Sequence, residues 1–307
     1  MKTRPRPKSA QDAPRRLNHF TPLRYPGGKG KLAAFVKELM KSNGLLDGEY
    51  AEPYAGGAAI ALELLLQEYV SRIHINDISR PVHAFWKSVL DETDKLVQLV
   101  RDTPLTVRAW DKQKLVIANS SDHDDLTLGF ATFFLNRTNR SGILNAGIIG
   151  GRDQTGPWKI DARYNAPELA HRIEAIANLK SRISLSREDA KKFLLKRLDR
   201  WPGKTLIYLD PPYYIKGKEL YFDFYTHKDH EQVAKLVMQK IRCQKWIVSY
   251  DNVESIKDMY KGSRSISYRI GYSAREAREG AEVMFFCDDL IIPQLAGAML
   301  PLRKRAA

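Results

Sequence analysis

Residues 205–214 read TLIYLDPPYY, and they set the kind of sheet that the chain builds. The apolar run up to Leu209 is typical of a strand that is buried on both faces. Pro211 and Pro212 have no N–H group, so the strand ladder cannot continue and the local turn is stiff. Asp210 therefore stands at the end of a buried strand, and its carboxylate is expected to point into a cleft.

Outward from this stretch, short apolar strands alternate with helices, which is typical of a parallel α/β sheet with helices on its faces. Further strands are predicted in EYAE, RIHIND, RISLS and KWIVSYD, and SISYRIGY and EVMFF are predicted as an antiparallel pair. Helices are predicted in GKGKLAAFVKELMKSNG, GAAIALELLLQEYV, LTLGFATFFLNRTNR and, as one segment, PVHAFWKSVLDETDKLVQLVRD.

The strand and helix rhythm lapses between Arg80 and about Ala175, where helical segments bracket the glycine-rich loop SGILNAGIIGGRDQTGPW. The economical interpretation is one α/β domain in two sequence pieces, 19–79 and 176–295, interrupted by a mostly helical insert, 80–175. Two basic segments flank this core: a disordered arm at 1–18 and a tail at 296–307.

Composition narrows the class of protein. The chain has 307 residues, 43% of them hydrophobic, and no apolar run reaches the ~20 residues of a membrane span. The basic, proline-rich start has no apolar segment typical of a secretory signal. Cys243 and Cys287 fall in no metal or redox spacing, so a reduced, cytoplasmic setting is the simple interpretation.

A formal net charge of +14 favours a polyanionic partner such as DNA or RNA. A basic protein with a solvated face explains the charge equally well. Four arginines spread through the insert are predicted to contact DNA: Arg137, Arg140, Arg152 and Arg163.

Two other strand ends carry candidate ligand-binding residues, because ligands of open α/β sheets bind beyond the carboxyl ends of the strands. In EPYAGG, Glu52 and Pro53 end a strand, and Gly56 and Gly57 allow a tight backbone turn. In IND, Asp77 lies near the offset at which an acid meets ribose hydroxyls in nucleotide-binding units. Each feature alone is more often a simple turn or a solvated acid.

The acid and the prolines of DPPY suggest a specific chemistry. The Asp210 carboxylate and a nearby backbone carbonyl form a rigid pair of acceptors, and an exocyclic amine of a nucleobase has two hydrogens to donate. Accepting both hydrogens stabilises the positive charge that develops as the nitrogen attacks an electrophile. Tyr213 offers a ring on which an extruded base can stack.

With these motifs in order, the chain resembles the DNA adenine methylases, which methylate the exocyclic amine of adenine. LRYPGGKGKL resembles the N-terminal cofactor motif of that family, EPYAGG its first strand motif, IND its ribose-binding acid and DPPYY its catalytic motif. TFFLNRTNRSGI resembles the start of its target-recognition segment. The following loop differs from the shorter sequence of the GATC-methylating enzymes, so the target sequence is left open.

The resemblance implies a Rossmann-like class I methyltransferase sheet, S-adenosylmethionine as cofactor and no metal. The implied catalytic residues are Asp210, Pro211, Pro212 and Tyr213. The implied cofactor-binding residues are Tyr25, Pro26, Gly27, Gly28, Lys29, Glu52, Pro53, Gly56, Gly57, Asp77, Asp189 and Asp210.

The predicted function is transfer of a methyl group to N6 of a flipped adenine at specific sites in double-stranded DNA, in a prokaryote or phage. Adenine methylation of RNA and a non-catalytic nucleic-acid-binding module are the alternatives. The oligomeric state and the presence of a companion restriction nuclease are left open.

Overall fold

The computed structural model describes residues 20–24, 29–215, 225–241, 244–270, 280–295 and 299–301. The predicted arm at 1–18 lies outside these described residues, and so do four of the predicted cofactor residues: Tyr25, Pro26, Gly27 and Gly28.

One mixed sheet carries the fold. Its strands are β1 (Gly48–Glu52), β2 (Val70–Asn76), β3 (Ile183–Ser186), β4 (Thr205–Leu209), β5 (Lys245–Asp251), β6 (Arg264–Ile270), β7 (Gly280–Phe286) and β8 (Met299–Pro301). They are ordered β3-β2-β1-β4-β5-β7-β6-β8. The first five pair in parallel, whereas β7 runs antiparallel to both β5 and β6. This topology confirms the predicted Rossmann-like α/β class and the antiparallel pairing of SISYRIGY with EVMFF.

The edge strand β8 differs from the sequence prediction. It lies within the segment 296–307 that was predicted as a basic tail, and it pairs antiparallel with β6. Three residues are too few to show an alternating pattern, so only the partner strand identifies this segment as a strand.

The helices in the described part of the chain are α1 (Ala33–Ser42), α2 (Ala59–Leu66), α3 (Arg80–Asp91), α4 (Thr93–Asp102), α5 (Val107–Ala118), α6 (Asp125–Thr138), α7 (Ala166–Ala177), α8 (Ala190–Arg197), α9 (His227–Gln239) and α10 (Glu254–Met259). The segment predicted as one helix forms both α3 and α4, because Glu92 leaves the helical conformation with φ −129° and ψ 36°. None of these described helices has the length and apolar character required to cross a membrane.

The sheet brings the predicted strand ends together. All five residues of β4 are buried, and β1 and β5 pair with it on either side. Parallel strands have their carboxyl ends at one edge, so Glu52, Asp77, Asp210 and Asp251 all lie at that edge. The strand order reverses between β1 and β4, which is the point where ligands of open α/β sheets bind.

Helices α3 to α7 occupy the chain between β2 and β3, the interval predicted as the insert. α3 and α6 pack closely at Gly129, where an added Cβ would lie 2.6 Å from the Ala84 carbonyl oxygen. Beside this contact, the rings of Phe85 and Phe133 stack with centroids 5.9 Å apart. The boundaries 19–79, 80–175 and 176–295 between the two domains stay a prediction.

Asn76, at the end of β2, ties three strand ends together. Its Nδ2 donates to the carbonyls of Pro53 and Glu188, each at 2.9 Å. Its Oδ1 accepts from Ser186 Oγ at 2.9 Å and from the Glu188 amide at 3.0 Å. The side chain is fully buried, and it makes all four hydrogen bonds open to an amide. Asn76 therefore fixes the loops that flank Asp77.

We predict that Asn76→Ala lowers the free energy of unfolding by about 1–3 kcal/mol, because it leaves buried backbone groups without partners. Urea unfolding followed by circular dichroism measures the change. Asn119→Ala is the matched control, since Asn119 is exposed and its side chain donates only to the Leu115 carbonyl. Equal stability losses in the two variants would contradict the role assigned to Asn76.

Candidate active site

A pocket opens at the carboxyl edge of the sheet between β1, β2, β4 and the insert. It brings together eight residues predicted from the sequence: Lys29, Glu52, Pro53, Gly56, Gly57, Asp77, Asp210 and Pro212. The insert contributes Thr132, Asn136 and the loop from Gly142 to Asn145. Residues distant in sequence thus form one cavity, as the shared strand edge predicts.

Asp77 holds the glycine turn after β1. Its Oδ2 accepts from the Gly56 amide at 2.8 Å and its Oδ1 accepts from the Ser79 amide at 2.9 Å. The Gly56 carbonyl accepts from the Trp86 indole at 2.8 Å, and Gly56 has φ +47°, a conformation that favours glycine. The carboxylate therefore shapes the turn as well as facing the pocket.

Glu52 is a buried acid whose pKa is raised. Its Oε1 accepts from the Tyr50 hydroxyl and from the Ala61 amide, both at 3.1 Å. Burial is the main cause that raises the pKa of Glu52 to about 8, and the negative charge of Asp210 adds to it. Near pH 7 this carboxyl is therefore mostly neutral and can donate a hydrogen bond into the pocket.

Asp210 is held through one of its two oxygens. Ser249 Oγ donates its hydrogen to Oδ1 at 2.7 Å. A hydroxyl has only one hydrogen, so in the 2.7 Å hydrogen bond between Tyr208 and Ser249 the Tyr208 hydroxyl is the donor. Lys29 Nζ lies 3.2 Å from the same Oδ1. Within the described part of the chain, no group donates a hydrogen bond to Oδ2. Burial raises the pKa of Asp210, and Lys29 opposes that rise.

Lys29 lies between two carboxylates. Its Nζ is 2.8 Å from Glu282 Oε2, and it lies 5.3 Å from the centre of the Tyr213 ring. Burial alone would lower the pKa of Lys29, but Asp210 and Glu282 together raise it well above its ordinary value. The ammonium group is therefore a fixed positive charge at the base of the pocket.

The chain that follows β4 is held by the end of β5. Asp251 accepts the amides of Tyr214 and Ile215, at 2.9 and 3.0 Å. Pro211 and Pro212 cannot donate such bonds, and Asp251 accepts the two backbone amides at 214 and 215 that follow. This contact fixes the direction in which DPPY leaves the sheet.

Asparagines at the end of α6 attach the insert to the pocket. Asn136 exchanges hydrogen bonds with the backbone of Arg24, at 2.7 and 2.8 Å, and also donates to the Gly142 carbonyl. Asn139 donates to the carbonyls of Ile143 and Leu144. These bonds hold the pocket-lining loop and join it to Arg24 at the start of the predicted cofactor motif.

Sequence reasoning missed Ser249, Asp251, Glu282 and the two asparagines as site residues. A polar side chain inside an apolar strand marks Ser249 in IVSYD and Glu282 in AEVMFF, since such a group is costly to bury without a partner. Asp189 caps α8 by accepting from the amides of Lys191 and Lys192, and its neighbour Ala190 lines the pocket. A contact of Asp189 with the cofactor stays a prediction.

The arginines predicted to contact DNA have different environments. Arg140, Arg152 and Arg163 are exposed. Arg152 makes a bidentate pair with Asp111, at 2.8 and 2.9 Å, and the Arg163 guanidinium lies 5.8 Å from the ring centre of Trp158, which is 61% exposed.

Arg137 corrects the prediction, because it is buried. Its Nε donates to the Pro22 carbonyl at 2.7 Å, and burial lowers its pKa to about 9. In this structure it anchors the N-terminal segment and does not lie on a surface open to DNA. Arginine occurs in both settings, so the residue type alone could not separate them.

Comparison with known proteins identifies the class to which this fold and site belong. Residues 25–273 match the model of the D12 class N6 adenine-specific DNA methyltransferases, and the chain therefore belongs to that family. It is an adenine-specific DNA methyltransferase with DNA as substrate, and the family implies S-adenosylmethionine as methyl donor. The alternatives of an RNA methyltransferase and a non-catalytic module are not favoured.

One relative is the Type II methyltransferase M.MjaIII of Methanocaldococcus jannaschii, which is 22% identical over 264 residues, or 78% of this chain and 87% of that protein. A solved SAM-dependent methyltransferase from Agrobacterium tumefaciens aligns with 83% of this chain at 10% identity and a TM-score of 0.37. The chain spans 61% of that structure.

We predict that Arg137→Ala lowers the free energy of unfolding by about 1–3 kcal/mol, because the buried Pro22 carbonyl loses its donor. Arg163→Ala is the control, since Arg163 is exposed and its loss should change stability by no more than about 0.5 kcal/mol. Urea unfolding measures both variants. An unchanged stability in Arg137→Ala would return this residue to the candidates for DNA contact.

Proposed function

We propose that the chain methylates N6 of an adenine that is extruded from duplex DNA into the pocket, and that Asp210 is the acceptor for the amine. The arrangement of Asp210 carries this proposal. Ser249 and Lys29 both engage Oδ1, so Oδ2 is left to accept one amine hydrogen. The carbonyl of Pro211 is the second acceptor, because the two prolines fix the backbone that follows Asp210.

When bound, S-adenosylmethionine supplies an electrophilic methyl group. The two acceptors would take the two amine hydrogens and so orient the lone pair of N6 for attack on that methyl group. The negative charge of Asp210 stabilises the positive charge that develops on N6. The surplus proton on N6 then leaves through Asp210 Oδ2, whose pKa is raised by burial.

The side chains around Asp77 fit the nucleoside part of the cofactor. Asp77 offers a carboxylate for ribose hydroxyls, and Ile78 and Val82 line the pocket beside it with apolar surface suited to a base. Glu52, mostly neutral near pH 7, is able to donate a hydrogen bond to the cofactor. We propose Lys29, Glu52, Gly56, Gly57 and Asp77 as the cofactor-binding residues of the described chain.

The exposed arginines of the insert support a DNA-binding face. We propose that Arg140, Arg152 and Arg163 contact phosphates near the target adenine. The similarity to a type II methyltransferase supports methylation at a specific sequence and a role beside a restriction nuclease, in the cytoplasm of a prokaryote.

We predict that Asp77→Asn weakens S-adenosylmethionine binding by about 1–3 kcal/mol, the scale of a charge-assisted hydrogen bond. The asparagine keeps the size of the side chain, but its amide nitrogen cannot accept from the backbone amide of Gly56 or Ser79, so circular dichroism first verifies that the variant is folded. Asp124→Asn is the matched control, since Asp124 is an exposed acid that caps α6. Calorimetry that finds equal affinities in Asp77→Asn and the control would remove Asp77 from the cofactor site.

We predict that Asp210→Asn lowers the single-turnover rate of methyl transfer to duplex DNA by about 100- to 1000-fold, because a neutral amide cannot stabilise the cationic amine. Binding of DNA and cofactor, measured separately, should persist. In the unaltered protein, transfer should increase with pH through the raised pKa of Asp210, since the ionised form accepts the amine.

The control variant is Ser249→Ala, which removes one donor to Oδ1 and keeps the carboxylate, and its loss of rate should be smaller. An RNA duplex of the same sequence should receive no methyl group. A rate for Asp210→Asn close to that of the unaltered protein would reject Asp210 as the amine acceptor.

A further inference from the structure

Glu282 is a buried carboxylate that joins three elements beside the pocket. It lies on β7, opposite Asp251 of β5 and opposite Tyr268 of β6, and only 2% of its surface is exposed. Its Oε1 accepts from the Tyr213 hydroxyl at 2.9 Å. Its Oε2 accepts from Lys29 Nζ and from the Tyr268 hydroxyl, both at 2.8 Å.

Two of these partners belong to the proposed reaction centre. Tyr213 completes DPPY, and its hydroxyl bond to Glu282 fixes where the edge of its ring lies. Lys29 is 2.8 Å from Glu282 and 3.2 Å from Asp210, so it is closer to Glu282. A second carboxylate in this place keeps the ammonium group from pairing with Asp210 alone.

We propose that Glu282 is a positioning residue for methyl transfer, which sets the Tyr213 ring and draws Lys29 partly away from Asp210. Glu282 acts through these two side chains and does not itself line the pocket. The inference rests on the proposed role of Asp210 as amine acceptor. The proposal adds Glu282 to the residues that act in methyl transfer. In the sequence, Glu282 is marked only as a polar residue within an apolar strand.

The contact has a direct consequence for Asp210. Without Glu282, Asp210 is the remaining carboxylate partner of Lys29 in the described part of the chain, and the ammonium group then competes with the amine for this acceptor. The Tyr213 ring at the same time loses the bond that holds its hydroxyl. Both changes act on the transfer step and leave the glycine turn at Asp77 intact.

Single-turnover methylation of duplex DNA by Glu282→Gln tests the proposal, because glutamine keeps the shape of the side chain and removes its charge. The rate should fall by about 100-fold, the scale of a small misplacement at a reacting centre. Tyr268→Phe is the matched control. It removes one hydrogen bond to the same carboxylate from a residue outside the pocket, and its rate should stay close to that of the unaltered protein.

The pH profile separates positioning from a structural role. The negative charge of Glu282 raises the pKa of Asp210, so Glu282→Gln should move the acidic limb of the profile to lower pH. The titratable groups that interact with Asp210 are Lys29, Tyr50, Glu52, Tyr208 and Glu282. Glu52, whose pKa burial raises to about 8, is present in every variant, so its titration is common to all the profiles.

Glu282→Asp provides a second variant that keeps the charge and withdraws the carboxylate by one methylene. Its rate should fall while the acidic limb stays in place, and this result supports the proposal even if Glu282→Gln fails to fold. The proposal is overturned if folded Glu282 variants have the same transfer rate and the same acidic limb of the pH profile as the unaltered protein. It is also overturned if Tyr268→Phe lowers the transfer rate as much as the Glu282 variants do. If the unaltered protein transfers no methyl group to adenine in DNA, the proposed function itself is rejected. This outcome differs from one in which transfer occurs and substitution of Glu282 leaves its rate unchanged.

Discussion

The parallel pairing of β4 between β1 and β5 is the constraint on which the site depends. Parallel strands end at one edge, so three acids that are far apart in sequence, Glu52, Asp77 and Asp210, reach one pocket. The two prolines then end β4 at that edge, and Asp251 on the neighbouring strand holds the chain beyond them. The pocket is thus a consequence of strand direction.

Bringing these acids together in a buried place would be unfavourable if all were equally charged. The structure gives them different environments. Within the described residues, Glu52 accepts hydrogen bonds from neutral donors, and burial raises its pKa to about 8. Asp210 has Lys29 and Ser249, which favour its ionised form against the effect of burial. Burial therefore raises the pKa of both carboxyls, and at Asp210 the contact with Lys29 opposes that rise.

The insert and the predicted cofactor motif are joined by backbone contacts. Arg137 and Arg172, on α6 and α7, donate to the carbonyls of Pro22 and Thr21, and Asn136 pairs with Arg24 in both directions. Gly142 is required at this junction, because an added Cβ would lie 2.3 Å from the Arg24 carbonyl oxygen. A change in the insert is therefore transmitted to the chain that enters the pocket.

The sequence by itself determined the α/β class, the strand ends and the end of the strand ladder at DPPY, because apolar periodicity and proline act locally. The chemistry of DPPY stays a prediction. The sequence determined Asp77 and the glycine turn as well, since both follow directly from a strand. The break between α3 and α4, the burial of Arg137 and the roles of Ser249 and Glu282 were decided by tertiary structure. Each depends on packing or pairing between distant segments, and that contact fixes which polar groups are buried and which charges meet.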